Sequence, residues 1–294
     1  MSRTIYYFSK LKVRRHCDEP DGSASRNEGA NHSLSKIIFK LSIISWVMLS
    51  PLSSFAENNQ KSARWYKVHW NNMYLADLKV ELRDNDITAK IDSHGVIKTI
   101  SKYSNYSHSK FHNNNGKYIP EIFNSNLTQR QGKKDIIIKY GENGEITEES
   151  VIPPDNRYKR PAVENHLKKD APNPLVAVLL TRDKIRESLE KGENKFEYNI
   201  YDGRRLARLE FNIIGKETIK LHGNNLNALK ITFKRIPVAG FTNNELKRMK
   251  GENPDFTIYL DEKDLLPIKA DAVAPLGKAF FTLVKECESI EKCK

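Results

Sequence analysis

From residue 65 to residue 284 the chain alternates polar residues with β-branched and aromatic ones, and this period of two constrains its fold more than any other feature. Tyr66-Lys67-Val68-His69-Trp70 alternates, and so does 75–82 beyond Asn71-Asn72, which reads as a hairpin turn. The pattern continues at 87–91, 96–103 and 106–111, and further strands are expected at 226–236, 256–260, 268–273 and 279–284. Asn143-Gly144 lies between runs at 136–140 and 146–151, and Asp202-Gly203 between runs at 196–201 and 206–214. Both dipeptides suit type I′ turns, which need positive φ at both central positions. The expectation is a mainly β protein, an antiparallel curved sheet forming a half-open barrel or a sandwich.

One segment departs from the pattern. Residues 173–191 combine Asn173 as a possible N-cap, Pro174 in the first turn, an apolar face and Gly192 as a C-terminal stop, so one principal α-helix is expected at about 174–191. Before it, 152–172 holds four prolines and the basic residues Arg157, Lys159, Arg160, Lys168 and Lys169. This loop separates an N-terminal β half, 65–151, from a C-terminal one, 195–286, and one sheet system shared by both is expected. Residues 242–253 read as a shorter helical or loop insertion. Trp65, Trp70, Tyr201, Phe211, Phe233 and Phe280 are expected in the interior as core-filling residues.

The longest apolar run, 37–49, is too short for a bilayer, which takes about 20 residues, but fits a signal-peptide core of roughly 7–15. Lys36 and Lys40 supply charge, Pro51 ends the run, and Ser54 and Ala56 are small residues suited to a cleavage site. Cleavage is expected after Ala56, dividing a segment 1–56 from a single β-rich mature domain 57–294 that is periplasmic and has no transmembrane anchor. Residues 1–35 are polar and far longer than a usual leader; an early start codon and a cytosolic extension both remain open.

Removing 1–56, with eight basic and four acidic residues, lowers the net charge from +12 to +8. The remaining charges are interspersed and read as a solvated surface with some attraction to anionic lipid; no nucleic-acid partner is expected of an exported chain. Of three cysteines, Cys17 leaves with the leader. Cys287 and Cys293 are expected to form a disulfide closing a tail at 287–293, since exported thiols oxidise and two thiolates make a poor metal site.

No G-x-S-x-G, P-loop, G-x-G-x-x-G or H-E-x-x-H occurs, and no catalytic residue, metal or cofactor is assigned. His108 and His112 sit four apart in what reads as a strand, about 13 Å end to end and too far to share an ion. Arg204 and Arg205, just after the Asp202-Gly203 turn, are the candidates for gripping a phosphate or carboxylate; the plainer reading is a solvated hairpin end with one inward or cross-strand arginine.

Tyr201-Asp202-Gly203-Arg204-Arg205, the alternating stretch after it and Ile236-Pro237-Val238-Ala239-Gly240-Phe241 resemble the bacterial domain-of-unknown-function family 3108. The opening Tyr66-x-Val68-x-Trp70, Asn173-Pro174-Leu175, Leu266-Pro267-Ile268 and Pro275-Leu276-Gly277 follow in the same order. The resemblance spans about 65–284 and implies an exported, mainly β envelope protein, with no catalytic residue to carry over. Met73 and the Cys287–Cys293 tail depart from it. Two functions are expected to compete: a non-catalytic protein binding a lipid or lipopolysaccharide-like amphiphile in its curved sheet, with basic residues at the rim, and a scaffolding module that recruits another envelope protein through an edge strand or the Pro-rich loop.

Overall fold

The computed structural model describes residues 62–114, 116–252, 256–274 and 277–293. The apolar run at 37–49 and the Ala56 cleavage site lie outside them. The N-terminal strands are β1 (Ser62–Trp70), β2 (Met73–Arg83), β3 (Asp86–Ser93), β4 (Ser104–Asn114), β5 (Lys117–Gln129), β6 (Gly132–Tyr140) and β7 (Ile146–Ile152). The C-terminal strands are β8 (Lys195–Tyr201), β9 (Leu206–Leu221), β10 (Asn224–Ala239), β11 (Phe256–Asp261), β12 (Pro267–Ala274) and β13 (Gly277–Cys287). Helices α1 (Gly95–Ser101), α2 (Pro174–Lys191) and α3 (Asn243–Glu252) interrupt them.

Among the described residues thirteen strands form one antiparallel sheet in the order β7-β6-β5-β4-β3-β2-β1-β13-β12-β11-β10-β9-β8. Because β13 returns beside β1, the first and last strands are central and the edges are β7 and β8, neighbours in sequence. The sheet is open, and the chain crosses its seam through the Pro-rich loop and α2.

Helix α2 forms where the alternation stops. The Asn173 Oδ1 accepts from the backbone N–H of Leu175 and Val176 at 3.0 and 3.1 Å, and its Nδ2 donates to Ser109 Oγ at 3.1 Å, so the cap also pins the helix to β4. Gly192 ends it at φ +70°. The helix packs on β3, β4, β5 and β8, burying Leu175, Val176, Val178, Leu179 and Ile185, each contributing about 2 kcal/mol. On the inner face of the other half, Phe196, Phe211, Phe233 and Phe256 stack across β8 to β11 with centroids 4.7, 5.3 and 4.8 Å apart.

Three expectations change. Residues 96–101 belong to helix α1, since Ile97 and Ser101 are buried four apart, as a helical stripe requires; the run is too short for periodicity to separate the two structures. Gly144 and Gly203 take φ +84° and +85°, but Asn143 and Asp202 do not have positive φ, so neither turn is type I′. Trp70, Tyr201, Phe211 and Phe233 are buried, whereas Trp65 and Phe280 stand half-buried on the outer face, because alternation sends Trp65 opposite to Tyr66. Cys287 and Cys293 are joined by a disulfide, with Cα atoms 5.5 Å apart, and Lys79 Nζ on β2 donates to the Cys293 carbonyl.

Candidate functional site

The seam between β7 and β8 gathers a cluster of buried charged side chains, Arg160, Lys168, Asp202, Arg235 and Glu245. Asp202 shapes the turn after β8: its Oδ1 accepts from the backbone N–H of Arg204 and Arg205 at 2.7 and 2.5 Å, and its Oδ2 from Arg205 Nε at 2.8 Å. Arg204 is held bidentately by Asp155 of the Pro-rich loop, through Nε at 2.7 Å and Nη2 at 2.6 Å. Arg160 of the same loop donates to the Gly240 carbonyl at 2.5 Å and to Glu245 at 2.7 Å. Thr242 and Glu245 form a reciprocal capping box at the start of α3, with N–H bonds of 3.2 and 2.7 Å.

Burial alone would raise the Asp155 carboxyl, but the hydrogen bonds and charges of Arg204 and Lys134 outweigh it and hold the group at about 2. Burial likewise opposes ionisation of Glu245, yet Arg160, Arg205 and the Thr242 N–H hold it at about 2. Arg235, over the Phe241 ring at 5.3 Å, is pushed down to about 9 by burial and by the charge of Arg205, and stays charged at neutral pH. Arg204 and Arg205, the candidates for gripping an anion, sit in internal ion pairs: Arg204 clasps the loop to the hairpin through Asp155, and Arg205 pairs with Asp202 of its own turn and with Glu245 of α3. Their distant partners Asp155 and Glu245 carry no local sequence signal, lying 49 residues from Arg204 and 40 from Arg205 respectively.

A second element of the seam is an open groove of about 360 Å³ at the mouth of the curled sheet. Its walls are Val176 and Leu180 of α2 and Tyr118, Ile119 and Pro120 of β5, with Lys117, Lys184, Asp183 and Glu187 at the rim and the β6–β7 turn at Asn143 and Gly144 alongside. Tyr118 is fixed by Phe111, edge to face at 5.6 Å, and by Arg182, whose Nη2 donates to its hydroxyl at 3.0 Å; burial raises its pKa. The groove exists only because α2 stands beside the β4–β5 hairpin, so sequence reasoning missed it. Its volume lies within the usual range for small-molecule pockets, about 300–1,000 Å³.

His108 and His112 both lie on β4, bonded to Asp86 at 2.7 Å and Glu121 at 3.2 Å respectively. Among the described residues no group of three or more His, Cys, Asp or Glu is placed to hold a metal ion.

The profile of the family described as protein of unknown function, DUF3108, matches residues 66–284. The chain belongs to that family. The DUF3108 match starts in β1 and ends in β13, so it takes in the seam, the groove and the sheet apart from residues 62–65 of β1 and 285–287 of β13. No curated protein matches the chain. Among solved structures, a DUF1329 family protein from Desulfovibrio piger is similar over 89% of this chain and 93% of that one, at 9% identity and a TM-score of 0.25. A putative outer membrane lipoprotein-sorting protein domain from Vibrio parahaemolyticus is similar over 83% and 89%, at 8% identity and a TM-score of 0.25. The Pseudomonas aeruginosa MucA/MucB complex is similar over 78% of this chain and 52% of that one, at 10% identity and a TM-score of 0.23. Likeness at that level says nothing about what this DUF3108 chain binds.

Proposed function

We propose that this DUF3108 protein is an exported, non-catalytic envelope protein that seats the hydrocarbon part of an amphiphile in the groove between α2 and β5. The observation that carries the reading is the groove itself: an apolar floor of Val176, Leu180, Ile119 and Pro120 opening beside the ammonium groups of Lys117 and Lys184. The hollow of the curved sheet is a poorer seat, because α2 buries its apolar residues there. The rim carboxylates Asp183 and Glu187 pair with Arg186 and Lys191, so an anionic head group is expected beside Lys117 and Lys184.

The test is calorimetric titration of the purified protein with palmitate and with a neutral monoacylglycerol. Wild type is expected to bind both, Leu180→Trp to lose at least about tenfold in affinity for both, and Lys117→Gln/Lys184→Gln to lose palmitate selectively. Absence of binding by wild type, or undiminished binding by Leu180→Trp with an unchanged melting temperature, sinks the proposal. Export is tested separately by N-terminal sequencing of the protein from the periplasm, where Glu57 is the expected first residue.

The scaffold reading keeps one observation in its favour. Arg160 and Lys168 of the Pro-rich loop are buried, but Tyr158 is wholly exposed, a side chain suited to a protein partner. Loss of a cross-linked envelope partner on Tyr158→Ala, in a protein that takes up no amphiphile, would favour it.

A further inference from the structure

On the outer face of the central strands, Trp65 lies in register between Lys285 of β13 and Lys79 of β2, with Lys67 two positions further along β1. All three ammonium groups converge on one indole ring: Lys67, Lys79 and Lys285 stand 5.7, 5.6 and 5.6 Å from its centroid. The indole Nε1 donates to the Asp77 carboxylate. The other acids on these strands are paired: Asp92 with Lys90 at 3.2 Å and Ser104 at 2.7 Å, Glu81 with Arg83 at 2.9 Å, Asp271 opposite Phe280 with Lys278 at 3.0 Å, and Glu286 with Arg64. In the next row Phe280 stacks on His69 at 5.0 Å, and Tyr74 lies 5.5 Å from Lys67. Lys285 is exposed, and Trp65, Lys67, Tyr74, Lys79 and Phe280 are half-buried, the Lys79 ammonium also donating to the Cys293 carbonyl at the edge of the patch.

We infer that this face docks onto a bilayer rich in acidic phospholipid. Three cations gathered against one carboxylate leave a local positive charge that lipid phosphates complement. Amphipathic indole and phenol rings beside lysines are the composition that settles at the boundary between head groups and acyl chains. The packing disfavours the other polyanion such a face could take. Single-stranded nucleic acid binds by stacking bases on open aromatic faces, but here ammonium groups crowd around the Trp65 ring and the Phe280 face is taken by His69. The face lies away from the groove and the inference does not rest on it.

The experiment is co-sedimentation of the purified protein with vesicles of phosphatidylcholine alone and of phosphatidylcholine mixed with phosphatidylglycerol, at low and raised salt. Wild type is expected to bind the acidic vesicles, to bind the neutral ones at least about tenfold more weakly, and to be released by salt. The triple variant Lys67→Gln/Lys79→Gln/Lys285→Gln is expected to lose at least about tenfold in partitioning, and the corresponding triple arginine variant to retain it. A control with the same change in net charge, Lys98→Gln/Lys195→Gln/Lys220→Gln, alters three exposed lysines elsewhere and is expected to bind like wild type. Every variant carries the same N-terminal segment, so its contribution cancels. Leu180→Trp is expected to bind vesicles normally, which separates failure here from failure of the groove. Equal binding to neutral vesicles, equal loss in the control triple, or patch-dependent binding of single-stranded DNA without vesicle binding overturns the inference.

Discussion

Tyr201, the last residue of β8, donates a hydrogen bond of 2.9 Å to Glu149 of β7, and so ties the two edge strands of the sheet by side chains. Lys168 completes the tie, donating to Glu149 at 2.8 Å and standing 5.2 Å from the Tyr201 ring. Together with Arg204 and Asp155, this makes the seam a side-chain closure in place of a backbone ladder. The open edges are bridged by the loop and α2, and α2 packs into the hollow against β3, β4, β5 and β8.

Tyr201→Phe is therefore expected to lower the free energy of unfolding by about 1 kcal/mol, and a double-mutant cycle with Glu149→Gln to give a coupling of similar size. Urea denaturation of the four proteins checks this. Additive losses would mean that the two residues do not hold the seam together.

Arg204→Ala is expected to cost about 3 kcal/mol, because it leaves the buried Asp155 carboxylate short of its bidentate partner. Palmitate affinity of the surviving folded fraction is expected to be unchanged. A loss of affinity with little loss of stability would restore Arg204 to a ligand-gripping role.

Gly240 beside the seam and Gly192 at the end of α2 should rank by what a methyl group would meet. A Cβ on Gly240, at φ +76°, would lie 2.2 Å from the Arg204 carbonyl oxygen, whereas one on Gly192, at φ +70°, would meet nothing within 4 Å. Gly192→Ala is expected to cost about 1 kcal/mol from the left-handed backbone alone, and Gly240→Ala at least about twice that. Thermal melts of the two variants decide the order.

Acid should open the clasp. Asp155 and Glu245 are held at about 2, below their unfolded values of about 4. The folded state therefore binds their protons less readily, and the stability they contribute is complete above about pH 5 and lost as pH falls from about 4 toward 2. The melting temperature is expected to be level from pH 7 to 5 and to drop below 4, less steeply in Asp155→Asn, whose reference stability is lower. Identical slopes in wild type and variant would remove Asp155 from this role.

The alternating stretches, the hairpin at Asn71-Asn72 and the capped helix after Asn173 were legible because each depends on neighbours in sequence: side-chain period, turn chemistry and cap hydrogen bonds. The 95–101 segment was not, because seven residues carry too few apolar positions to distinguish period two from period 3.6. Which face a strand turns inward was also hidden where both faces hold large rings, as at Trp65 and Tyr66.

Sequence by itself determined that this chain makes a long antiparallel sheet with one substantial helix, since backbone alternation and capping are local. Only the tertiary structure decided that β13 returns beside β1, that α2 enters the hollow, that Arg204 and Arg205 serve the seam, and that Leu180 faces Ile119 across a groove. Those facts rest on contacts between residues tens to hundreds of positions apart, whose pairing is fixed by how the sheet curls and what it can bury.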